Sequence, residues 1–178
     1  MTNYTKYNFI ILILCVISFS CERDNNISHK TTFEGNVSLT SQKEVDEFGS
    51  HNYSKVIGSV AIGPYTLSGQ LYPGTDITNL NKLQSLDSIE GSLSIYYNSN
   101  LSEIGKGLDN LIYVKESLRI YDNEIIKYID SFKHLTYIGG DLVISSNDAL
   151  LDINSFSNII VLNGDLVIHT NLSLINTS

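Results

Sequence analysis

The chain has 178 residues, with 19 acidic and 11 basic side chains and a formal net charge of −8 at pH 7. This length is enough for one domain with a sizeable core. The acidic balance argues against nucleic-acid binding, which requires a basic surface, so we expect no nucleic-acid partner.

Residues 1–20 are predicted to be a signal peptide. Lys6 supplies a positive charge, and Phe9–Phe19 is an apolar run interrupted only by Ser18. Such a run is typical of the apolar region of a secretory signal, and it is shorter than the roughly 20 residues that a transmembrane helix needs. Ser18 and Ser20 then place small residues at positions −3 and −1 before a cysteine. The sequence therefore predicts export of the chain.

The cleavage region resembles the lipobox of bacterial lipoproteins, with Ser18 where that motif prefers Leu. The resemblance implies that Cys21 becomes the first residue of the mature chain and carries lipid, which attaches the protein to a membrane. Ordinary cleavage after Ser20, leaving a free thiol, is the alternative. Because Cys15 lies in the removed segment, the mature domain would have no disulfide. Residues 21–32 are polar and aperiodic, which predicts a flexible tether.

Residues 33–50 are predicted to form an N-terminal cap. The stretch "NVSL" alternates polar and apolar residues as a strand does. Ser41 and Glu44 have the spacing of a capping box, and Gly49 suits the C′ position of a helix. We therefore expect a strand and then a short helix of about two turns, which would cover the first open edge of a stacked structure.

A pattern with a period of roughly 24 to 25 residues recurs through the rest of the chain. Its leucines are Leu93, Leu118, Leu142 and Leu166. Ile follows each of them by two positions, and Gly precedes three of them by two. An asparagine follows each leucine by five positions: Asn98, Asn123, Asn147 and Asn171.

Each column of the pattern has a physical interpretation. Leu-x-Ile predicts a short strand with two inward side chains, and stacked copies would form a parallel sheet over a continuous core. The asparagines would form a hydrogen-bonded ladder at the turn, and the glycines would permit a tight or left-handed turn. Apolar residues three apart, such as Leu108, Leu111 and Val114, indicate a helical turn or an irregular arc on the far side. We expect the four leucines to lie in one interior row.

Residues 51–92 are predicted to be a looser first coil. Gly58, Val60 and Ile62 fit the frame, but Tyr65 stands where the asparagine is expected. Val60 and Leu93 lie further apart in the chain than one period of the repeat. The stretch Pro64–Thr75 is therefore predicted to contain an inserted loop.

The order of strand, "TSQKEVDEFG" helix, insertion and Gly-x-Leu-x-Ile coils resembles a receptor L domain from Phe33 to the end. The resemblance implies a mainly β, right-handed parallel β-solenoid, similar to the leucine-rich repeat, with regular coils over residues 93–178. The ordinary leucine-rich repeat spaces its first two leucines by three positions, whereas this pattern spaces the matching apolar residues by four. Receptor members also carry cysteines that this chain lacks.

No catalytic constellation is apparent, so we predict that the protein is not an enzyme. The four histidines are scattered without metal-ligand spacing, and no glycine-rich phosphate loop or serine elbow is present. The acidic turns do not supply the six to eight oxygens of a calcium site. We expect no metal and no cofactor.

The outward face of the predicted sheet is the candidate binding surface, since Tyr and Arg are enriched at binding hot spots. Aromatic residues also favour strands for structural reasons alone, which is the alternative. The inserted loop, with Tyr65 and Tyr72, is a second candidate. The candidate residues of the face are Tyr96, Tyr97, Arg119, Tyr121 and His169.

Together these features predict a bacterial cell-envelope lipoprotein, at the outer membrane or cell surface, that presents the solenoid to a protein or glycan ligand. The alternative is a structural envelope subunit, or an incomplete solenoid, that assembles through an open C-terminal edge. The sequence stops at Ser178 within a coil. Either "NLSLINTS" folds over the last edge, or the edge pairs with a partner, or the sequence is a fragment.

Overall fold

The computed structural model of the protein describes residues 31–64 and 74–175. The predicted signal peptide, Cys21 and most of the predicted tether and inserted loop lie outside these residues. Within the described ranges, the single α-helix is too short and too polar to cross a membrane.

Twelve strands of the described residues alternate between two parallel sheets. Sheet A contains β1 (Thr31–Glu34), β3 (Tyr53–Ile57), β5 (Ser88–Ile89), β7 (Tyr113–Val114), β9 (Tyr137–Ile138) and β11 (Val161–Leu162). Sheet B contains β2 (Val37–Leu39), β4 (Val60–Ile62), β6 (Leu93–Tyr96), β8 (Leu118–Tyr121), β10 (Leu142–Ser145) and β12 (Leu166–His169). Each coil contributes one strand to each sheet, which confirms the predicted solenoid.

The coils stack in register, so that residues of one column pair directly. Leu93 pairs with Leu118, Leu118 with Leu142, and Leu142 with Leu166. The first three of these leucines are at most 3% exposed. Leu166 is 57% exposed because no described residue stacks on the last coil. The predicted row therefore exists, but its fourth member is not in the interior.

Sheet A lies where a helical turn or an irregular arc was predicted, so that prediction was incomplete. The chain makes a 3-10 turn at Asn81–Leu83 and again at Asn154–Phe156, and it then enters a two-residue strand of sheet A. The inward residue of each short strand, such as Val114 or Ile138, is fully buried. A second sheet pairs the backbone N–H and C=O groups that an irregular arc would leave buried and unpaired.

The N-terminal cap has two strands and a helix, α1 (Gln42–Ser50), rather than one strand and a shorter helix. β1 begins at Thr31, two positions before the predicted start of the fold. The Ser41 hydroxyl accepts a hydrogen bond from the Glu44 N–H at 3.3 Å, as in a capping box. The Glu44 carboxylate, however, accepts from the N–H of Thr40 at 2.6 Å instead of from Ser41.

The predicted C′ role of Gly49 was wrong. Gly49 is buried inside α1, where a Cβ atom would lie 2.4 Å from the carbonyl oxygen of Lys82. Its small size therefore allows the helix to approach the next coil. The left-handed position after the helix is occupied by Asn52, with φ of 52°.

The glycines before the strands of sheet B also serve close packing. Gly91, Gly140 and Gly164 do not have positive φ angles, and a Cβ atom on each would lie 2.4 to 2.6 Å from a side-chain oxygen of the preceding coil. The expected left-handed turn falls after the strand instead. It is adopted by Tyr97, Asp122, Ser146 and Thr170, with φ of 53° or 54°.

Two substitutions in the leucine row test whether the contribution of a leucine to stability depends on its burial and not only on its place in the repeat. Leu118→Ala should lower the free energy of unfolding by about 3 kcal/mol, because it leaves a cavity inside the stack. Leu166→Ala, in the same column, should lower it by about 1 kcal/mol or less, since more than half of that side chain is already exposed. Equilibrium unfolding in urea measures both free energies. Equal losses of unfolding free energy in the two variants would contradict the exposed position of Leu166.

Candidate functional site

The four asparagines of the repeat form a continuous hydrogen-bonded row at the end of sheet B. The Asn123 side-chain oxygen accepts from the backbone N–H of Asn98 at 3.2 Å and from its side-chain amide at 3.1 Å. The Asn123 amide donates to the Ile95 carbonyl at 3.0 Å and to the side-chain oxygen of Asn147 at 3.1 Å. Asn147 makes the same contacts with Asn171. Because their amides are engaged within the stack, these residues are structural.

Sequence reasoning missed the first member of this row. The Thr75 hydroxyl donates to the side-chain oxygen of Asn98 at 2.7 Å, and Thr75 is only 4% exposed. Tyr65, which the pattern placed here, lies outside the described residues. The signal was a hydroxyl residue 23 positions before Asn98, close to the period of the repeat. The insertion concealed it.

Three tyrosines form an aromatic cluster on the outward face of sheet B. Tyr96 and Tyr121 pair directly across neighbouring strands, and their rings stack at 5.2 Å with an interplanar angle of 5°. Tyr97 lies 6.1 Å from both rings and nearly perpendicular to them, at 81° and 79°. The left-handed backbone at Tyr97 turns the chain at this point. We call Tyr96, Tyr97 and Tyr121 the tyrosine cluster.

The hydroxyls of the tyrosine cluster are held in the neutral form. Partial burial raises the pKa of Tyr96 and of Tyr121. The pKa of Tyr97 is raised first by the negative charge of Asp122 and then by a hydrogen bond to that carboxylate. The cluster thus presents uncharged rings with polar hydroxyl groups at ordinary pH.

The two remaining candidate residues differ in their relation to the cluster. Arg119 lies on the same strand and face as Tyr121, and its guanidinium is 3.9 Å from the Asp141 carboxylate. His169 is two strands away from Tyr121, with Ser145 between them, a separation of roughly 9.6 Å. Its ring nitrogen contacts the Thr170 hydroxyl at 3.0 Å. The structure therefore brings Arg119 to the cluster but not His169.

A second aromatic pair, on sheet A, was not anticipated. Tyr113 and Tyr137 pair across neighbouring strands, and their rings stack at 4.8 Å with an interplanar angle of 18°. Their separation by one period of the repeat is the signal that could have identified them. In residues 31–64 and 74–175, no group of three or more metal-ligating side chains is found.

The stacked coils of two parallel sheets, with half-buried tyrosines on their outward faces, define a β-solenoid. The receptor L domain family model matches residues 87–178, just over half of the chain. The protein therefore belongs to the receptor L domain family, whose members are non-enzymatic ligand-binding domains. No curated protein and no solved structure matches the chain.

Proposed function

We propose that this protein is a ligand-binding module of the bacterial cell envelope, which holds a protein or glycan ligand on the tyrosine cluster. The observation that carries the proposal is the packing of Tyr97 against the stacked rings of Tyr96 and Tyr121 on one open sheet face. Clustered tyrosines are typical of binding hot spots.

The geometry of the cluster favours binding because the rings are already ordered. Each ring contacts the other two, and the backbone beneath Tyr96 and Tyr121 is fixed by parallel pairing. A ligand would therefore not have to order these side chains, which otherwise costs about 0.5 to 1.5 kcal/mol for each one. The Arg119 guanidinium adds a hydrogen-bond donor at the edge of the tyrosine cluster.

The double substitution of Tyr96 and Tyr121 by Ala should weaken ligand binding by about tenfold or more, because it removes two central contacts. The measurement is binding of the chain from Glu22 to Ser178 to arrays of glycans and of surface-protein fragments. The matched control replaces Tyr113 and Tyr137, the stacked pair of sheet A, by Ala. Circular dichroism first checks that each double variant is folded. If both folded variants weaken ligand binding equally, the tyrosine cluster is not the binding site.

Lipid attachment at Cys21 supports placement of this module in the envelope, at the outer membrane or cell surface. The support is the sequence alone: an apolar run, small residues and then a cysteine. Residues 22–30 would then connect the lipid to β1. The anchor would hold the binding face close to the membrane while leaving it accessible.

Replacement of Cys21 by Ser should abolish incorporation of radiolabelled palmitate in a bacterial expression host. It should also move the protein from the membrane fraction to the soluble exported fraction, because the acyl chains provide the membrane affinity. Replacement of Cys15 by Ser is the control and should change neither result. A Cys21 variant that still takes up label would disprove lipidation at this position.

The exposed face of the last described coil supports a second candidate function, a structural subunit that pairs with another copy. A groove of about 250 Å³ lies at this end, lined mainly by apolar side chains of the last two coils, among them Phe156, Ile159, Leu162 and Leu166. These columns are buried in the earlier coils, so the groove continues the interface between coils. A second copy could cover it.

Sedimentation of the chain from Glu22 to Ser178 over a concentration series tests this second candidate. We expect a dimer that Leu166→Glu converts to monomer, because the charge would be buried in the interface. Ile125→Glu is the control, since Ile125 is an exposed apolar residue outside the groove. A strictly monomeric wild-type chain would exclude assembly through this end.

A further inference from the structure

Negative charge is concentrated around sheet B. Strands β6, β8, β10 and β12 of sheet B, together with their flanking turns, contain six carboxylates and one arginine, a net charge of −5 out of −8 for the whole chain. These segments are residues 91–99, 116–124, 140–148 and 164–172. The carboxylates are Glu116, Asp122, Glu124, Asp141, Asp148 and Asp165.

Sheet A does not share this charge. Its strands β3 to β11 and the residues beside them contain Lys55, Lys115, Asp87 and Glu90, which sum to zero. The Lys55 ammonium lies 2.6 Å from the Glu90 carboxylate, and the Lys115 ammonium lies 3.7 Å from it. The hydrogen bond from Lys55 lowers the pKa of Glu90. These four strands of sheet B thus carry more negative charge than strands β3 to β11 of sheet A.

Around the tyrosine cluster, the carboxylates exceed the cations that could neutralise them. Arg119 is the single Lys or Arg of the four segments, and its guanidinium faces Asp141. The Tyr97 N–H donates to the Tyr121 carbonyl at 3.4 Å, so Tyr97 and Asp122 occupy matching left-handed positions of neighbouring coils. The negative charge of Asp122 is the first cause of the raised pKa of Tyr97. Among the described residues, no Lys or Arg forms an ion pair with Asp122.

Tyr97 combines this charge with an accessible aromatic ring. Its ring is perpendicular to both Tyr96 and Tyr121 at the same distance, so it packs across the pair. All three tyrosines are only half-buried, so part of the Tyr97 ring is accessible. A cation above an aromatic ring is attracted to the electron-rich face of the ring, and a neighbouring carboxylate adds to this attraction.

We propose that the ligand of the tyrosine cluster is a basic polypeptide segment, whose Lys or Arg side chain sits against Tyr97 and Asp122. This inference rests on the proposed function, because it names the class of ligand for the same face. The acidic field would speed the approach of such a segment and would repel acidic glycans and acidic proteins.

Fluorescence anisotropy with four labelled probes tests the proposal on the chain from Glu22 to Ser178. The probes are a lysine–glycine peptide, its arginine and glutamate counterparts, and a tetramer of N-acetylglucosamine. The test variant is Asp122→Asn, which removes the charge and keeps the shape. Asn tolerates the positive φ of 54° at this position, so the fold should be kept. The control is Glu47→Gln, an exposed carboxylate on α1.

We expect the lysine and arginine peptides to bind and the glutamate peptide not to bind. Asp122→Asn should weaken binding of the basic peptides by about fivefold, corresponding to the loss of roughly 1 kcal/mol. Glu47→Gln should leave it unchanged, and added salt should weaken it in the wild-type chain.

The outcomes separate this inference from the proposed function. If the neutral or the acidic probe binds best, and the double Tyr96 and Tyr121 variant abolishes that binding, the face is a binding site but its ligand is not basic. If Glu47→Gln weakens the basic peptides as much as Asp122→Asn does, the attraction is non-specific and the inference is wrong. If the double substitution of Tyr96 and Tyr121 by Ala changes the binding of no probe, both the inference and the proposed function are wrong.

Discussion

The burial of each coil by its neighbour is the constraint on which the structure depends. A strand such as β8 has only two inward side chains, Leu118 and Ile120, and it cannot shield them alone. They reach zero exposure because β6 lies on one side and β10 on the other. Where no described coil follows, at β12, the corresponding leucine becomes more than half exposed. Stability is therefore a property of neighbouring pairs of coils.

The same register that buries the leucines aligns the outward residues. Since the period is constant between β6 and β8, Tyr96 must lie beside Tyr121, just as Leu93 lies beside Leu118. Stacked rings on sheet A arise in the same way from Tyr113 and Tyr137. The inward columns specify the fold, and the outward columns can change without disturbing it. A solenoid can thus acquire a binding face by substitution at positions that contribute little to the core.

The periodic features were the ones that the sequence could predict. The asparagine row, the leucine row and the helix start at Ser41 each depend on local spacing, which the chain displays directly. Sheet A was missed because apolar residues three apart fit a helical turn as well as they fit a turn followed by a two-residue strand. Gly49 was misassigned because a small residue needed for close approach and one needed for a left-handed turn look the same in a sequence. Thr75 was missed because the insertion breaks the register.

Residues that hold the coils together use their hydrogen-bonding groups within the stack, whereas residues on the outward face keep theirs available to a ligand. The amides of Asn98, Asn123 and Asn147 are engaged within the stack, so these polar groups have little left to offer a ligand. The tyrosine hydroxyls and the carboxylate of Asp122 lie on the accessible face, outside the core. Membership of a family fixes the scaffold but not the ligand. Ligand choice therefore depends on the side chains that the coils do not need for stacking, and here those side chains are aromatic and acidic.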